Sequence, residues 1–95
     1  MKQFMLLHVG FEMPTEEVMA QWNSWFQETA SITTDMGGFM NGTALTADGA
    51  QDLPMDKSVM TGYSIIEAED KDAAIAIAEK NPFITAIHVY EIRKG

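Results

Sequence analysis

The sequence predicts an α+β domain with the ferredoxin-like, split β-α-β arrangement: an antiparallel sheet with two helices on one face, in one unit spanning residues 1–95. Three observations carry that expectation. Strand-like and helix-like stretches follow one another in the order β-α-β-β-α-β. Two of the strands are apolar on both faces. Each helical stretch opens on a side chain suited to capping free amides.

The first strand is read over Lys2 to Phe11. One alternating set is Phe4, Leu6 and His8; the other is Met5, Leu7, Val9 and Phe11. A strand with one wet face would leave one set polar, so this one is dry on both sides. Pro14-Thr15-Glu16-Glu17 then opens a helix: Thr15 suits the cap, and the two glutamates suit the positive end of the helix dipole. Val18, Trp22, Trp25, Phe26, Thr29 and Thr33 recur at helical spacing, which carries the expected helix up to the Gly37-Gly38 break.

From Phe39 to Gln51 the signals are mixed. Thr43 to Thr46 reads as a short strand, Ala47-Asp48-Gly49 as a tight turn, and Leu53-Pro54-Met55 as a loop or irregular edge. Ser58 to Ala68 is a second two-sided strand. Val59, Thr61, Tyr63 and Ile65 lie on one face and Met60, Gly62, Ser64 and Ile66 on the other, with Gly62 placed for a close backbone approach. Asp70 caps a helix over Lys71 to Lys80, whose Ala74, Ile75, Ile77 and Ala78 meet the sheet, and Asn81-Pro82 stops it. Thr85 to Lys94 is the last strand.

In this topology the first and third strands are central, and they are the two that are apolar on both sides. The helices account for one face only. Leaving several hundred Å² of apolar side chains wet on the other would cost several kcal/mol at about 25 cal/mol per Å². Such a face marks an interface, and a second copy of the chain is the expected cover.

Composition narrows the function classes. An apolar fraction of 46% is ordinary for a folded domain, and 95 residues suffice for one modest core. With no cysteine there is no disulfide, zinc-thiolate site or thiol nucleophile, and a reducing cytoplasm is the expected location. The apolar run Phe4 to Leu7 is too short for a signal-peptide core. Fourteen acidic residues against six basic give a formal charge of −8, with only Arg93-Lys94 adjacent, so neither nucleic acid nor an anionic membrane is an expected partner.

The ordered set of Lys2-Gln3-Phe4-Met5-Leu6-Leu7-His8-Val9-Gly10, Trp22-Asn23-Ser24-Trp25-Phe26, Thr61-Gly62-Tyr63-Ser64-Ile65-Ile66, Asp70-Lys71-Asp72-Ala73-Ala74, Asn81-Pro82 and Val89-Tyr90-Glu91-Ile92 resembles the YCII-related family. That resemblance implies a ferredoxin-like domain pairing into a dimeric α/β barrel. The Asp-Gly-Pro-Phe tetrad that names one branch is absent, Asp48-Gly49 being followed by Ala50-Gln51. Some members carry a histidine on the first helix and an aspartate after it, proposed as an acid/base pair. Here that helix holds Trp22 and Trp25 and no histidine, while Asp35 is the candidate match for the aspartate.

The remaining chemistry rests on few side chains. His8 and His88 are the only histidines, each in an expected strand, where a buried, hydrogen-bonded imidazole competes with proton transfer or ligand contact. Asp35 is a helix-end or turn residue unless it shares a cavity with His8 or Tyr63. Trp22 and Trp25 are core or interface residues, or else line a ligand pocket with Tyr63 and His88. No metal-ligand spacing, Walker lysine, dinucleotide-binding glycine motif or nucleophile elbow occurs, so neither metal nor cofactor is expected. Three functions follow: a domain binding a small apolar or aromatic molecule, a cofactor-independent isomerase or lactone/proton-transfer enzyme using His8 and Asp35, or an oligomerisation module.

Overall fold

A computed structural model describes residues 1–94. The elements are β1 (Lys2–Val9), α1 (Glu16–Thr29), β2 (Thr33–Gly38), β3 (Thr43–Thr46), β4 (Gly49–Asp52), β5 (Met60–Ala68), α2 (Lys71–Glu79) and β6 (Ala86–Glu91). β2, β5, β1 and β6 form one four-stranded sheet in that order, with every neighbouring pair antiparallel. This is the split β-α-β order, with the two doubly apolar strands, β1 and β5, at its centre. β3 and β4 form a separate two-stranded sheet inserted between β2 and β5.

Alternation divides each central strand cleanly. Phe4, Leu6, Ile66 and Ala68 are buried together with Trp25 from α1 and Ala74 and Ala78 from α2, so both helices cover the same face. The opposite face carries Met5, Leu7, Val9, Tyr63 and Ile65, all half-buried, and the register sets Tyr90, His88 and Ala86 of β6 beside Met5, Leu7 and Val9. Among the described residues no helix lies on it.

Both caps form as their sequences require. Thr15 Oγ1 accepts from the Val18 amide at 3.2 Å, and an Asp70 carboxylate oxygen accepts from the Ala73 amide at 2.8 Å. The two helices are also joined at one end. Trp22 Nε1 donates to the Pro82 carbonyl at 3.1 Å, and Trp25 Nε1 donates to the Ile77 carbonyl at 2.9 Å. The second of these carbonyls belongs to the last turn of α2 and also accepts from the Lys80 amide at 3.3 Å.

The chain departs from the expected elements mainly between Ala30 and Asp52. α1 ends at Thr29 rather than near Gly37, and Thr33 opens β2 instead of extending the aromatic stripe. The β-branched run Ile32-Thr33-Thr34 favours extended backbone. Thr33 Oγ1 also donates to the Thr29 carbonyl at 2.8 Å, satisfying an acceptor that another helical turn would have used. Asp35 is consequently a strand residue, not a helix end or turn. Thr43 to Thr46 does form a strand, yet as part of a projecting hairpin, not as the second strand of the main sheet. Its turn is Ala47-Asp48, and Gly49 takes φ +122. Leu45 stays 81% exposed. The radius of gyration of 14.4 Å exceeds the roughly 12–13 Å of a compact chain this long, as a protruding arm requires. β5 begins at Met60 rather than Ser58, and β6 runs only from Ala86 to Glu91.

Gly37 and Gly38 end β2 without breaking it, because the strands pass very close there. A Cβ on Gly62 would lie 2.8 Å from the Gly37 carbonyl oxygen, and one on Gly37 would lie 2.9 Å from the Tyr63 ring. Replacing glycine by alanine ordinarily stabilises by about 0.4–1 kcal/mol through the unfolded chain. At Gly62 the added methyl meets backbone, and overpacking of that kind costs roughly 1–3 kcal/mol. The clash wins. Gly62→Ala should therefore lower Tm by several degrees in thermal unfolding followed by circular dichroism, and an unchanged or raised Tm would contradict this close approach.

Candidate functional site

At the end of the sheet where β1 and β2 finish and β5 begins, the fold forms a half-open cavity of about 510 Å³. Its position follows from the backbone. Gly37, Gly38 and Gly62 line it without side chains, so the sheet is thin there. The β1–β5 register slips between His8 and Val9, leaving Thr61 as an extra residue. α1 contributes Trp22 and Phe26, the loops contribute Phe11, Phe39 and Phe83, and Asn81 enters from the end of α2. The walls are therefore largely aromatic.

His8 lies on the helix side, with Nε2 3.4 Å from Ser64 Oγ and its ring edge-on to Trp25 at 6.1 Å. Burial disfavours the imidazolium and pushes the His8 pKa below its ordinary 6.5, so the ring is neutral at neutral pH. A neutral imidazole offers one donor and one acceptor.

Tyr63 also lines the cavity, its ring stacked on Phe39 at 5.6 Å. Its hydroxyl donates to Asp35 Oδ2 at 2.8 Å, while Asp35 Oδ1 accepts from the Met36 amide at 2.9 Å. That hydrogen bond to a carboxylate holds the phenol proton and raises the Tyr63 pKa above the ordinary tyrosine value.

Of the side chains singled out from sequence, His8, Trp22 and Tyr63 come together around this cavity, and Asp35 reaches it only through Tyr63. His8 and Asp35 do not form a pair. The first shares its face with buried Phe4 and Leu6, whereas Asp35 is set beside Ile65 on the helix-free face. Trp25 is a core residue, 3% exposed, outside the cavity lining. His88 is exposed on the helix-free face, next to Leu7, and does not line the cavity either. Sequence reasoning passed over Asn81, which reads as an ordinary helix stop, and over Phe39 and Phe83, which lie in loops without periodicity. Among the described residues no three His, Asp or Glu side chains gather as a metal site would require.

The lining contains Glu12 but no lysine or arginine. A carboxylate or phosphate ligand would find no basic side chain in the lining, Lys57 beside it being paired with Glu12 at 3.5 Å, whereas an uncharged ring would find aromatic walls and a few polar groups.

Fold and cavity together define a small ferredoxin-like α+β domain with an aromatic pocket at one end of its sheet. The chain belongs to the YCII-related domain family, whose profile matches residues 4–94. Among solved structures it is similar to the 5-chloro-2-hydroxyhydroquinone dehydrochlorinase of Burkholderia phenoliruptrix AC1100, in its complex with 2,5-dihydroxybenzoquinone, at 15% identity and a TM-score of 0.60, covering 98% of this chain and 95% of that one. At that identity the likeness is one of fold. A search of curated proteins finds no match.

The burial of His8 has a consequence for stability. Its folded-state pKa is depressed, so below 6.5 the unfolded chain takes up a proton that the folded chain resists. The contribution of His8 is therefore fully present at higher pH and is lost as pH falls through 6.5 toward the lowered value. Urea midpoints measured on both sides of that pH should drop more steeply for the unaltered chain than for His8→Gln. Parallel pH profiles would show that the imidazole is not desolvated in the fold.

Proposed function

We propose that this domain binds a small, uncharged, ring-shaped molecule in the cavity at the end of its sheet, as a homodimer joined through the helix-free sheet face. The observation that carries the reading is the aromatic cavity of about 510 Å³, lined by a neutral, half-buried imidazole and by no lysine or arginine. Its size suits a compact ligand, since small-molecule sites are mostly apolar hollows of roughly 300–1,000 Å³. The fold neighbour's complex with 2,5-dihydroxybenzoquinone, a flat ring, supports a ring as occupant. Met5, Leu7, Tyr63 and Ile65 on a face without helices support a partner sheet, and a second copy supplies a self-complementary one. The formal charge of −8 suits a solvated surface and neither nucleic acid nor an anionic membrane. A reducing cytoplasm remains the location that a cysteine-free chain suits best.

One observation favours catalysis as a second reading: the Tyr63–Asp35 hydrogen bond at the cavity edge is a ready path for a proton. In that reading Tyr63 relays a proton between substrate and Asp35, with no external cofactor, in isomerisation or lactone chemistry. His8 would contact the substrate from the other side of the sheet and not act as the partner of Asp35. Tyr63→Phe then abolishes turnover while leaving ligand affinity within a few-fold; the binding reading expects no turnover in either form.

Tryptophan fluorescence against a library of neutral and anionic rings tests the binding reading. Neutral rings are expected to change the emission of the unaltered chain and of Trp25→Phe, which retains Trp22, whereas benzoates do not. Silence from every neutral ring would overturn it. The dimer is checked by sedimentation velocity at micromolar concentration. Leu7→Lys, which places a charge on the helix-free face and not in the core, should convert dimer to monomer with the far-ultraviolet dichroism retained. A monomeric unaltered chain, or a Leu7→Lys variant that still dimerises, removes this interface.

A further inference from the structure

Most side-chain hydrogen-bond donors around the cavity are committed within the protein. Trp22 Nε1 donates to the Pro82 carbonyl at 3.1 Å, the Tyr63 hydroxyl to Asp35 Oδ2 at 2.8 Å, and Thr61 Oγ1 to the His8 carbonyl at 3.4 Å. The Asn81 carboxamide is enclosed by protein and out of a ligand's reach. His8 is the exception. Its Nε2 lies 3.4 Å from Ser64 Oγ, while among the described residues Nδ1 has no partner and is not enclosed as the Asn81 atoms are. The helices and the core cover the rest of that sheet face, so the open side of the ring is its cavity side.

Ser64 fixes which nitrogen of the ring carries the proton. Its side chain is 1% exposed, and among the described residues the imidazole is the only partner of its hydroxyl. A buried hydroxyl proton needs an acceptor, so Ser64 Oγ–H donates to Nε2. The reverse arrangement, with Nε2–H donating to Ser64, would leave the serine proton buried and unpaired. Burial keeps the imidazole neutral, so its one proton sits on Nδ1. We propose that His8 presents Nδ1–H to the cavity as its recognition donor and selects a neutral ring bearing a carbonyl oxygen, as in a cyclic ketone or lactone. This rests on the small-molecule reading above and specifies its ligand class. Trp22, Phe26 and Phe83 supply flat walls for the ring. A hydrocarbon ring of the same shape would leave the donor without an acceptor once water is displaced.

Calorimetric titration of the full chain above neutral pH compares 1-indanone with indane, which keeps the fused ring but lacks the carbonyl. The ketone is expected to bind about tenfold more tightly, a difference of about 1.4 kcal/mol. Long-range proton–nitrogen spectra of labelled protein should show His8 as the Nδ1–H tautomer, with that nitrogen shifting when 1-indanone is added. Glutamine places its amide nitrogen where Nε2 stood, and asparagine where Nδ1 stood. His8→Gln should therefore keep the Ser64 contact and the fold but lose the preference for the ketone, whereas His8→Asn keeps part of it. Equal affinity of the two rings for the unaltered chain overturns the assignment. So does an Nε2–H tautomer, or a preference that survives in His8→Gln. If neutral rings alter the tryptophan emission but the ketone is not preferred, this assignment fails and the binding reading stands. If no ring binds by either method, both fail.

Discussion

The paired indole hydrogen bonds between α1 and the end of α2 are the constraint on which the rest of the molecule depends. Trp25 reaches the Ile77 carbonyl in the last turn of α2 and Trp22 the Pro82 carbonyl just beyond it, so indoles of one helix tie down the end of the other. Each indole buries a large apolar body while its single polar atom is satisfied, which a core position for tryptophan demands. The pair sets the spacing of the helices over Phe4, Leu6 and Ile66, and it fixes where the Asn81-Pro82-Phe83 segment leaves α2. The cavity begins where this clamp ends: Trp25 faces the core, and Trp22, three residues earlier, faces the pocket.

A second constraint acts from the sheet side. Close passage of β5 over β2 requires Gly62 and Gly37, and the missing side chains thin the sheet at the end where β1 slips register. A cavity therefore forms around the end of the sheet, lined by His8 from the helix side and Tyr63 from the helix-free side, without the loss of a core residue, because the core proper lies farther along β1 and β5. The same glycines let the Tyr63 ring lie over β2, stacked on Phe39 and within reach of Asp35. Structural economy and a polar cluster at the pocket rim have one cause.

The helix-free face and the projecting hairpin both leave the chain with apolar side chains that its own helices do not cover. A two-stranded hairpin has little stability of its own in water, and β3–β4 keeps Leu45 exposed. Membership of the YCII-related family and the fold shared with a dehydrochlorinase place the domain among proteins of one architecture, and function on that architecture depends on individual side chains. In this chain those side chains make a largely aromatic pocket whose polar groups include a half-buried imidazole, the Tyr63 hydroxyl and the Glu12 carboxylate.

Period-two patterning in β1 and β5 was legible because both strands alternate without interruption, and the same pattern marked them as central. Thr15 and Asp70 were legible as caps because capping is local chemistry between a side chain and amides three residues away. The end of α1 was not. Val18 to Thr33 keeps helical spacing, and only the hydrogen bond from Thr33 to Thr29 and the pairing of β2 with β5 decide that the chain turns into a strand. The candidate site divides in the same way. His8, Trp22 and Tyr63 stood out by residue type, and the fold gathers them; His88 and Trp25 stood out equally, and strand parity and core packing send them elsewhere. Asn81 gave no signal, since a helix stop that lines a cavity and one that does not are the same letters. By itself, then, the sequence determined which segments are strands and helices where the deciding interactions are local. Tertiary structure alone decided which residues share a cavity, because that depends on contacts between residues dozens of positions apart.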